Sequence, residues 1–349
     1  MSWGVGLLGA GPGVSALHLP TLARHADRFE VAHIADGGSG RAAALAARVG
    51  ATASSGSATL LGDPRVDVVA ICSPPEQHAA QALAAVAAGK RAILCEKPLA
   101  LTAADADAVV DACRAAGVAL VVGTNHLFDP AWGRAEHHLV AERGQIQTVS
   151  VLAALPPNDR YHDVVTEPLP AAVPTPRPQP DLADPSVAAG LVARLLLGLG
   201  VHDVPLLRDL APRIDEVVYA RAIAPIGYTV GYLAGGVLVQ VSAVMLPGAT
   251  SADALWRLTI GTSLDELEVE FRPAFTHDGS AAVRVRSADG RIVEHPRDPG
   301  DGYVQEWAAV AAALDGRSPV EYDDVRADAH YAIALAEGAA ARIRTAATS

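Results

Sequence analysis

Lysine is almost missing from this chain. Lys90 and Lys97 are its only lysines among 27 lysine and arginine residues, so nearly every other basic residue is arginine. Drift toward arginine accounts for the surface, but it makes a surviving lysine a candidate for chemistry that arginine cannot perform. A desolvated ammonium can lose its proton near neutral pH, and a guanidinium cannot. Basic charge is also short overall. The net charge of -12 argues against a nucleic-acid partner, because phosphate binding needs a basic face. Three cysteines, Cys72, Cys95 and Cys113, show no metal-ligand spacing, and an odd count does not suggest a disulfide framework. Cys72 and Cys95 lie in apolar, strand-like runs, where packing is their expected role. No metal site is expected. No uncharged apolar run approaches the ~20 residues needed to span a bilayer. The opening M-S-W-G-V-G-L-L-G-A-G-P lacks the basic n-region of a signal peptide, so the expectation is a cytoplasmic protein acting without membrane contact.

Half of the residues are apolar and 19% charged, a globular balance, and 349 residues suit two domains. Over the first 125 residues, apolar runs at Val5–Leu8, Val31–Ala35, Val66–Cys72, Arg91–Cys95 and Val118–Gly123 alternate with helical patterns. Strands apolar on both faces, separated by helices, predict a parallel sheet covered on both sides. Thr102 with Asp105 three positions later marks a helix start as a capping-box variant. After about residue 145 the grammar changes to eight strand-like runs joined by turn residues, which predicts a largely antiparallel sheet open on one face. Between them, the insert 155–185 holds nine prolines and no periodicity, as an active-site loop or a linker would. The C-terminal stretch 303–345 reads as helical. The expected division is therefore an N-terminal α/β domain over 1–125 and a second α/β domain over 126–349.

G-L-L-G-A-G-P-G-V stands between the first strand and the first helix, where a dinucleotide fingerprint belongs. Gly9 and Gly11 fill its first two glycine positions, permitting the tight turn and close approach of backbone to pyrophosphate. The third position is Val14, with Gly13 one residue early and Pro12 between. Asp36 ends the second strand, where a carboxylate accepts hydrogen bonds from both ribose hydroxyls and repels a 2′-phosphate. Gly37-Gly38-Ser39-Gly40 offers no arginine beside it, and Arg41 is the one nearby group suited to NADP. NAD is the expected cofactor.

C-E-K-P-L-A at 95–100, S-P-P-E-Q-H at 73–78, G-A-G…H-L-P at 9–20, V-V-G-T-N-H-L-F-D-P at 121–130 and G-T-S-L-D-E-L-E-V-E at 261–270 together resemble the Gfo/Idh/MocA oxidoreductases. The resemblance implies a Rossmann domain, then an α/β domain whose sheet often forms the oligomer interface, with a homodimer or homotetramer expected. It implies that Lys97 sits beside the nicotinamide and the reacting carbon. It also places Ser73, Pro74, Pro75, His78 and Glu96 around the cofactor, and Asn125 near cofactor and substrate. Burial and a positive nicotinamide would both lower the proton affinity of Lys97, letting it polarise the substrate oxygen or relay its proton. His202, in L-L-L-G-L-G-V-H-D-V, matches the histidine the family often uses as acid/base. The family pattern has an aspartate four residues earlier, where this chain has Gly198, and a glycine cluster where it has Val192-Ala193-Arg194. Arg194 reads equally as a substrate contact or a solvated helix residue. Tyr161 and His162, at the start of the insert, are further substrate-binding candidates.

These readings imply an NAD-dependent enzyme that moves hydride at a secondary alcohol or ketone carbon of a sugar, cyclitol or aminosugar. The alanine- and arginine-heavy composition suggests a GC-rich bacterial source, and in such a source the family resemblance implies a role in aminoglycoside-like natural-product metabolism. Two rivals share the fold: an NAD-dependent glycoside hydrolase using transient oxidation, and a non-catalytic NAD-binding regulator. The intact Glu96-Lys97-Pro98 argues against the regulator.

Overall fold

A computed structural model describes residues 2–140, 146–156, 179–246, 248, 254–272, 277 and 279–346. The chain divides into two units, Met1–Thr124 with Tyr303–His330, and Asn125–Gly302 with Tyr331–Ser349.

In the first unit, strands β1 (Trp3–Leu8), β2 (Phe29–Asp36), β3 (Thr52–Ser55), β4 (Val68–Ile71), β5 (Ala92–Glu96) and β6 (Ala119–Gly123) form one sheet in the order β3-β2-β1-β4-β5-β6. Every neighbouring pair is parallel. This is the doubly wound order, in which direction of travel reverses between β1 and β4 and leaves a crevice at their carboxyl ends. The continuous apolar runs are explained by burial: all four residues of β4 are fully enclosed. β3, written T-A-S-S, carries no apolar signal because it is a largely exposed edge strand. Helix Ala103–Ala116 starts where expected, with Thr102 Oγ1 accepting from Asp105 N at 3.1 Å, and ends on Gly117 at φ 66°.

The other lysine has a structural task. Lys90 is buried and its Nζ donates to the carbonyls of Val66 at 2.7 Å and Asp63 at 3.0 Å. A compact ammonium serves two converging carbonyls where a planar guanidinium would need more room.

The first unit runs to Thr124, and the C-terminal stretch is shared between the two units. Residues 303–330 group with the first unit. The cause is apolar burial: Trp307, Val310 and Ala311 enter the core around Val5, Leu7 and Val68, and Tyr322 and Val325 pack beside Val110 and Leu120. Tyr322 also donates its hydroxyl to Val118 O at 2.8 Å.

In the second unit, β7 (Ile146–Leu155), β8 (Ile214–Ala222), β9 (Gly227–Ala234), β10 (Val237–Met245), β11 (Leu255–Thr262), β12 (Asp265–Phe271), β13 (Ala282–Ser287) and β14 (Ile292–His295) form a sheet ordered β14-β13-β12-β11-β7-β10-β9-β8. Only the β7–β10 pair is parallel. Alternation sets its two faces. Val149, Val151 and Ala153 of β7 are buried with helices Pro130–Leu139 and Pro185–Gly198. Leu152, Leu233 and Leu238 stand exposed on the strands themselves, as expected for a sheet covered on one side. The stretch Pro185–His202 is long and apolar enough to cross a membrane by length and composition. It carries Arg194 within it, and its Ala188, Ala189, Val192 and Leu196 pack in the core of this unit.

Candidate active site

The chain crosses from β1 into the first helix through Gly9-Ala10-Gly11. Gly9 has φ +117°, and a Cβ there would lie 2.4 Å from Cys72 O, so only glycine lets this turn pass the end of β4. At Gly11 and Gly13 a Cβ would meet nothing within 4 Å, which leaves bare backbone facing open space. These turns border a groove of about 650 Å³, lined by Gly9, Gly11, Asp36, Arg41, Ser73 and Pro74 among others. That volume lies within the range of ~300–1,000 Å³ usual for small-molecule sites. Bare glycine backbone at a strand-to-helix turn, an acidic residue at the end of β2 and a groove between them fit a dinucleotide.

Asp36 is held by its own loop. Its carboxylate accepts from Gly38 N at 2.8 Å, Ala42 N at 3.2 Å and the Ser39 hydroxyl. Desolvation would raise its pKa, but the hydrogen bonds from Ser39, Gly38 and Ala42 outweigh it and hold the group below the usual carboxylate range. The charge is therefore fixed at the groove wall.

Glu96 and Lys97 emerge at the carboxyl end of β5. His18 Nε2 lies 3.0 Å from Glu96 Oε1, and Trp307 Nε1 donates to His18 Nδ1 at 3.3 Å. An indole N–H only donates, so Nδ1 is the nitrogen facing that donor and Nε2 is the one left to donate to Glu96. Burial would raise the pKa of Glu96, but the His18 hydrogen bond and the Lys97 charge keep it lowered. Lys97 moves the other way. Desolvation lowers its pKa, opposed by the negative charges of Glu96 and Glu306. His78 does not line the groove. Its Nδ1 lies 2.7 Å from Pro98 O and its Nε2 2.8 Å from Ser73 O, so it ties together the two segments that carry Lys97 and Ser73. Pro75 begins a short helical turn behind Pro74.

In the second unit, His202 is buried at the end of a 3-10 turn following helix Pro185–Gly198. Its Nδ1 lies 2.6 Å from Asn125 Oδ1. Asp203 accepts from His126 Nδ1 at 2.8 Å and from Trp256 Nε1 at 3.0 Å. His126 stacks on Phe271 with centroids 3.8 Å apart. Arg194 and Gly198 are exposed, and a Cβ at Gly198 would meet nothing within 4 Å. Asn125 thus lies with His202, and the groove lined by Gly9 and Asp36 belongs to the first unit. Tyr161 and His162 lie outside the described residues. Among the described residues no cluster of histidine, cysteine, aspartate or glutamate is arranged for a metal.

Sequence reasoning gave no role to His18, Trp307, Glu306, His126, Asp203 or Trp256. The signal for Asp203 was its place directly after His202 in a helical, apolar stretch, where a carboxylate needs a buried partner. Trp307 and Glu306 had none, because they return to the first unit from the far end of the chain.

Comparison with known proteins agrees with this geometry. Residues 3–124 match the family model described as "Oxidoreductase family, NAD-binding Rossmann fold". The chain is 31% identical to D-xylose 1-dehydrogenase (NADP(+)) 2 of Haloferax volcanii, over 90% of each protein. It is 32% identical to 1,5-anhydro-D-fructose reductase of Ensifer adhaerens, over 74% of this chain and 72% of that one. It is 34% identical to inositol 2-dehydrogenase 2 of Saccharopolyspora erythraea, over 64% of this chain and 58% of that one. Among solved structures, the 3-ketoreductase KijD10 of Actinomadura kijaniata, in complex with NADP and TDP-benzene, superposes with a TM-score of 0.74 at 21% identity. That match covers 97% of this chain and 98% of the other, and it speaks to the fold. The glycine turn, the Glu96-Lys97 strand end and a relative matched along nine-tenths of its length have one reading: the chain belongs to the Gfo/Idh/MocA family of oxidoreductases.

Proposed function

We propose that the protein is an NAD-preferring dehydrogenase that moves hydride between nicotinamide and a carbinol carbon of a sugar, cyclitol or aminosugar. The observation that carries this reading is Lys97. It stands at the carboxyl end of β5 in the dinucleotide-binding unit, with its proton affinity lowered by desolvation against the opposing pull of Glu96 and Glu306. Nicotinamide, when bound, supplies the hydride acceptor or donor. The side chains supply the rest. An ammonium at Lys97 stabilises an alkoxide, and its neutral form takes the hydroxyl proton. His202 carries its proton on Nδ1 toward Asn125, which makes Nε2 the basic nitrogen of the neutral ring.

Asp36 favours NAD, because a fixed carboxylate repels a 2′-phosphate. Arg41 also lines the groove, and the Haloferax relative is named for NADP, so selectivity is a balance of these two charges. Relatives named for xylose, inositol and anhydrofructose support a polyhydroxylated substrate. Arg194 is the only charged residue of helix Pro185–Gly198 and is suited to an acceptor group or an anion on that substrate. The homo-oligomer that the family resemblance implies would bury the exposed leucines of the open sheet face.

The test is reduced-cofactor absorbance across aldoses, cyclitols, aminosugars and aminocyclitols with NAD and NADP, followed by mass spectrometry of the product. Formation of a keto or lactone product with NAD supports the reading. No reduced cofactor with any member of the panel, in a protein that binds NAD, would overturn it.

A further inference from the structure

Residues 125–126 and 202–203 pair rung by rung. His202 Nδ1 meets Asn125 Oδ1 at 2.6 Å, and Asp203 Oδ1 meets His126 Nδ1 at 2.8 Å. All four side chains are buried. The carboxylate of the set is taken by the neighbouring rung: Asp203 accepts from His126 and from the Trp256 indole. Trp256 sets its ring edge-on to both histidines, with centroids 4.7 and 5.3 Å away, and Phe271 stacks on His126. The histidine on the motif position is thus paired with a neutral amide, and the other histidine holds the acid. At Gly198, one turn before His202, there is no side chain to supply a charge.

We propose that Asn125 is the positioning residue for His202, its amide oxygen replacing the carboxylate absent at position 198, so that the ring is locked as the Nδ1–H tautomer with Nε2 presented for proton transfer. A carbonyl oxygen only accepts, which is why this contact fixes the tautomer. A carboxylate in its place would also add a negative charge and raise the proton affinity of the ring. The amide orients without that charge.

Among the described residues, the neighbouring titratable groups have their own partners. Asp203 is directed at His126 and Trp256. The Tyr228 hydroxyl faces the backbone at Gly200 and stays protonated, pushed up by burial and by Asp203. Asp129, whose charge acts on His126, accepts from Ala131 N and Ala281 N.

The kinetic consequence rests on the dehydrogenase reading, but the tautomer does not. ¹⁵N-histidine NMR of the full-length protein, with the His202 signals assigned by their loss in His202→Gln, should show protonated Nδ1 and unprotonated Nε2 at neutral pH. Asn125→Asp should keep that tautomer and move the His202 titration upward by about 1 unit or more, as an opposite charge within reach does. Asn125→Ala should release the tautomer. In turnover with a substrate from the panel, Asn125→Ala should lower kcat about tenfold or more with the KM for NAD unchanged. Asn125→Asp should recover kcat on a pH profile displaced to higher pH. Asn125→Ser, smaller and still able to accept, covers the case in which Asn125→Ala does not fold. An Nε2–H tautomer in the parent protein, or an Asn125→Asp titration identical to the parent's, overturns the proposal. If the NMR results hold while the parent protein oxidises nothing, the dehydrogenase reading fails and the positioning contact stands.

Discussion

Trp307 Nε1 donates to His18 Nδ1 across 3.3 Å, joining residues 289 positions apart. Trp307 has no exposed surface and also packs edge-on against Phe29, with centroids 5.1 Å apart. The indole decides which nitrogen of His18 is left to donate to Glu96, the neighbour of Lys97. Trp307→Phe keeps most of the packing and removes the donor. It should cost ~1–3 kcal/mol in denaturant unfolding, from one lost hydrogen bond and a small cavity. It should also lower kcat more than it alters NAD affinity. An unfolding midpoint and kcat equal to the parent's would show that the indole only fills space.

Asp36 sets the second expectation. NAD should bind more tightly than NADP by about tenfold or more, a difference of ~1.4 kcal/mol. Asp36→Asn should narrow the gap chiefly by improving NADP, since the charge is gone while the single amide oxygen can still accept from Gly38, at the cost of the bond from Ala42. Arg41→Ala should widen it. Calorimetry giving equal affinities for the two cofactors in the unmodified protein would sink the assignment.

Lys97→Ala should reduce turnover ~10²–10⁴-fold, the usual worth of a positioned acid/base, while leaving NAD binding nearly intact. Lys97→Arg should fare little better, because arginine does not release a proton. The pH profile carries a sharper test. The folded pKa of Lys97 is lowered, so the limb for alcohol oxidation that follows its deprotonation should lie below the ~10.4 of an ordinary lysine. Glu306 acts to raise that pKa, so Glu306→Gln should displace the limb to still lower pH. A shift to higher pH would mean that Glu306 does not act on Lys97.

The parallel sheet, the glycine turn and the Glu-Lys-Pro strand end were legible because each is local. Buried strands need unbroken apolar runs, and Gly9 is required by one backbone conformation. β3 was not legible: an exposed edge strand written T-A-S-S has no apolar face to reveal it. Nor was the return of 303–330 to the first unit, since an amphipathic helix shows which face it buries but not against which core. The same limit hid the partners of His202. A motif located the histidine, but Asn125 lies 77 residues away, and only the fold shows that an amide stands beside it.

Arg194 tests the substrate side. It is exposed and lies one turn before Gly198 on the helix that leads to His202. Arg194→Ala should raise the KM for the best substrate several-fold, with kcat and cofactor affinity little changed, the pattern of a lost ground-state contact. Among substrate pairs with and without a carboxylate or phosphate, the loss should fall on the anionic member. Unchanged KM values for both members would return Arg194 to an ordinary solvated residue.

Gly198 offers the most direct engineering test. A Cβ there meets nothing within 4 Å, and the residue is the exposed last position of its helix, so Gly198→Asp should fold. Two backbone effects oppose each other. Aspartate is a better helix residue than glycine by a few tenths of a kcal/mol, but a negative charge at a helix carboxyl end costs ~0.3–1 kcal/mol. Stability should therefore change little. The activity should change in a defined way. The new carboxylate, one turn before His202, favours the imidazolium and raises its pKa. If proton removal by His202 limits alcohol oxidation, the rising limb should move to higher pH, while the reverse reduction, which needs the protonated ring, should extend to higher pH. His202→Ala should abolish that limb in either background. A Gly198→Asp protein that folds normally and keeps the parent's profile in both directions would show that position 198 does not communicate with His202. If His202→Ala instead turns over normally with the parent's profile, the histidine is structural, and the proton would have to be carried by Lys97 or by a residue of the 155–185 insert such as His162 or Tyr161.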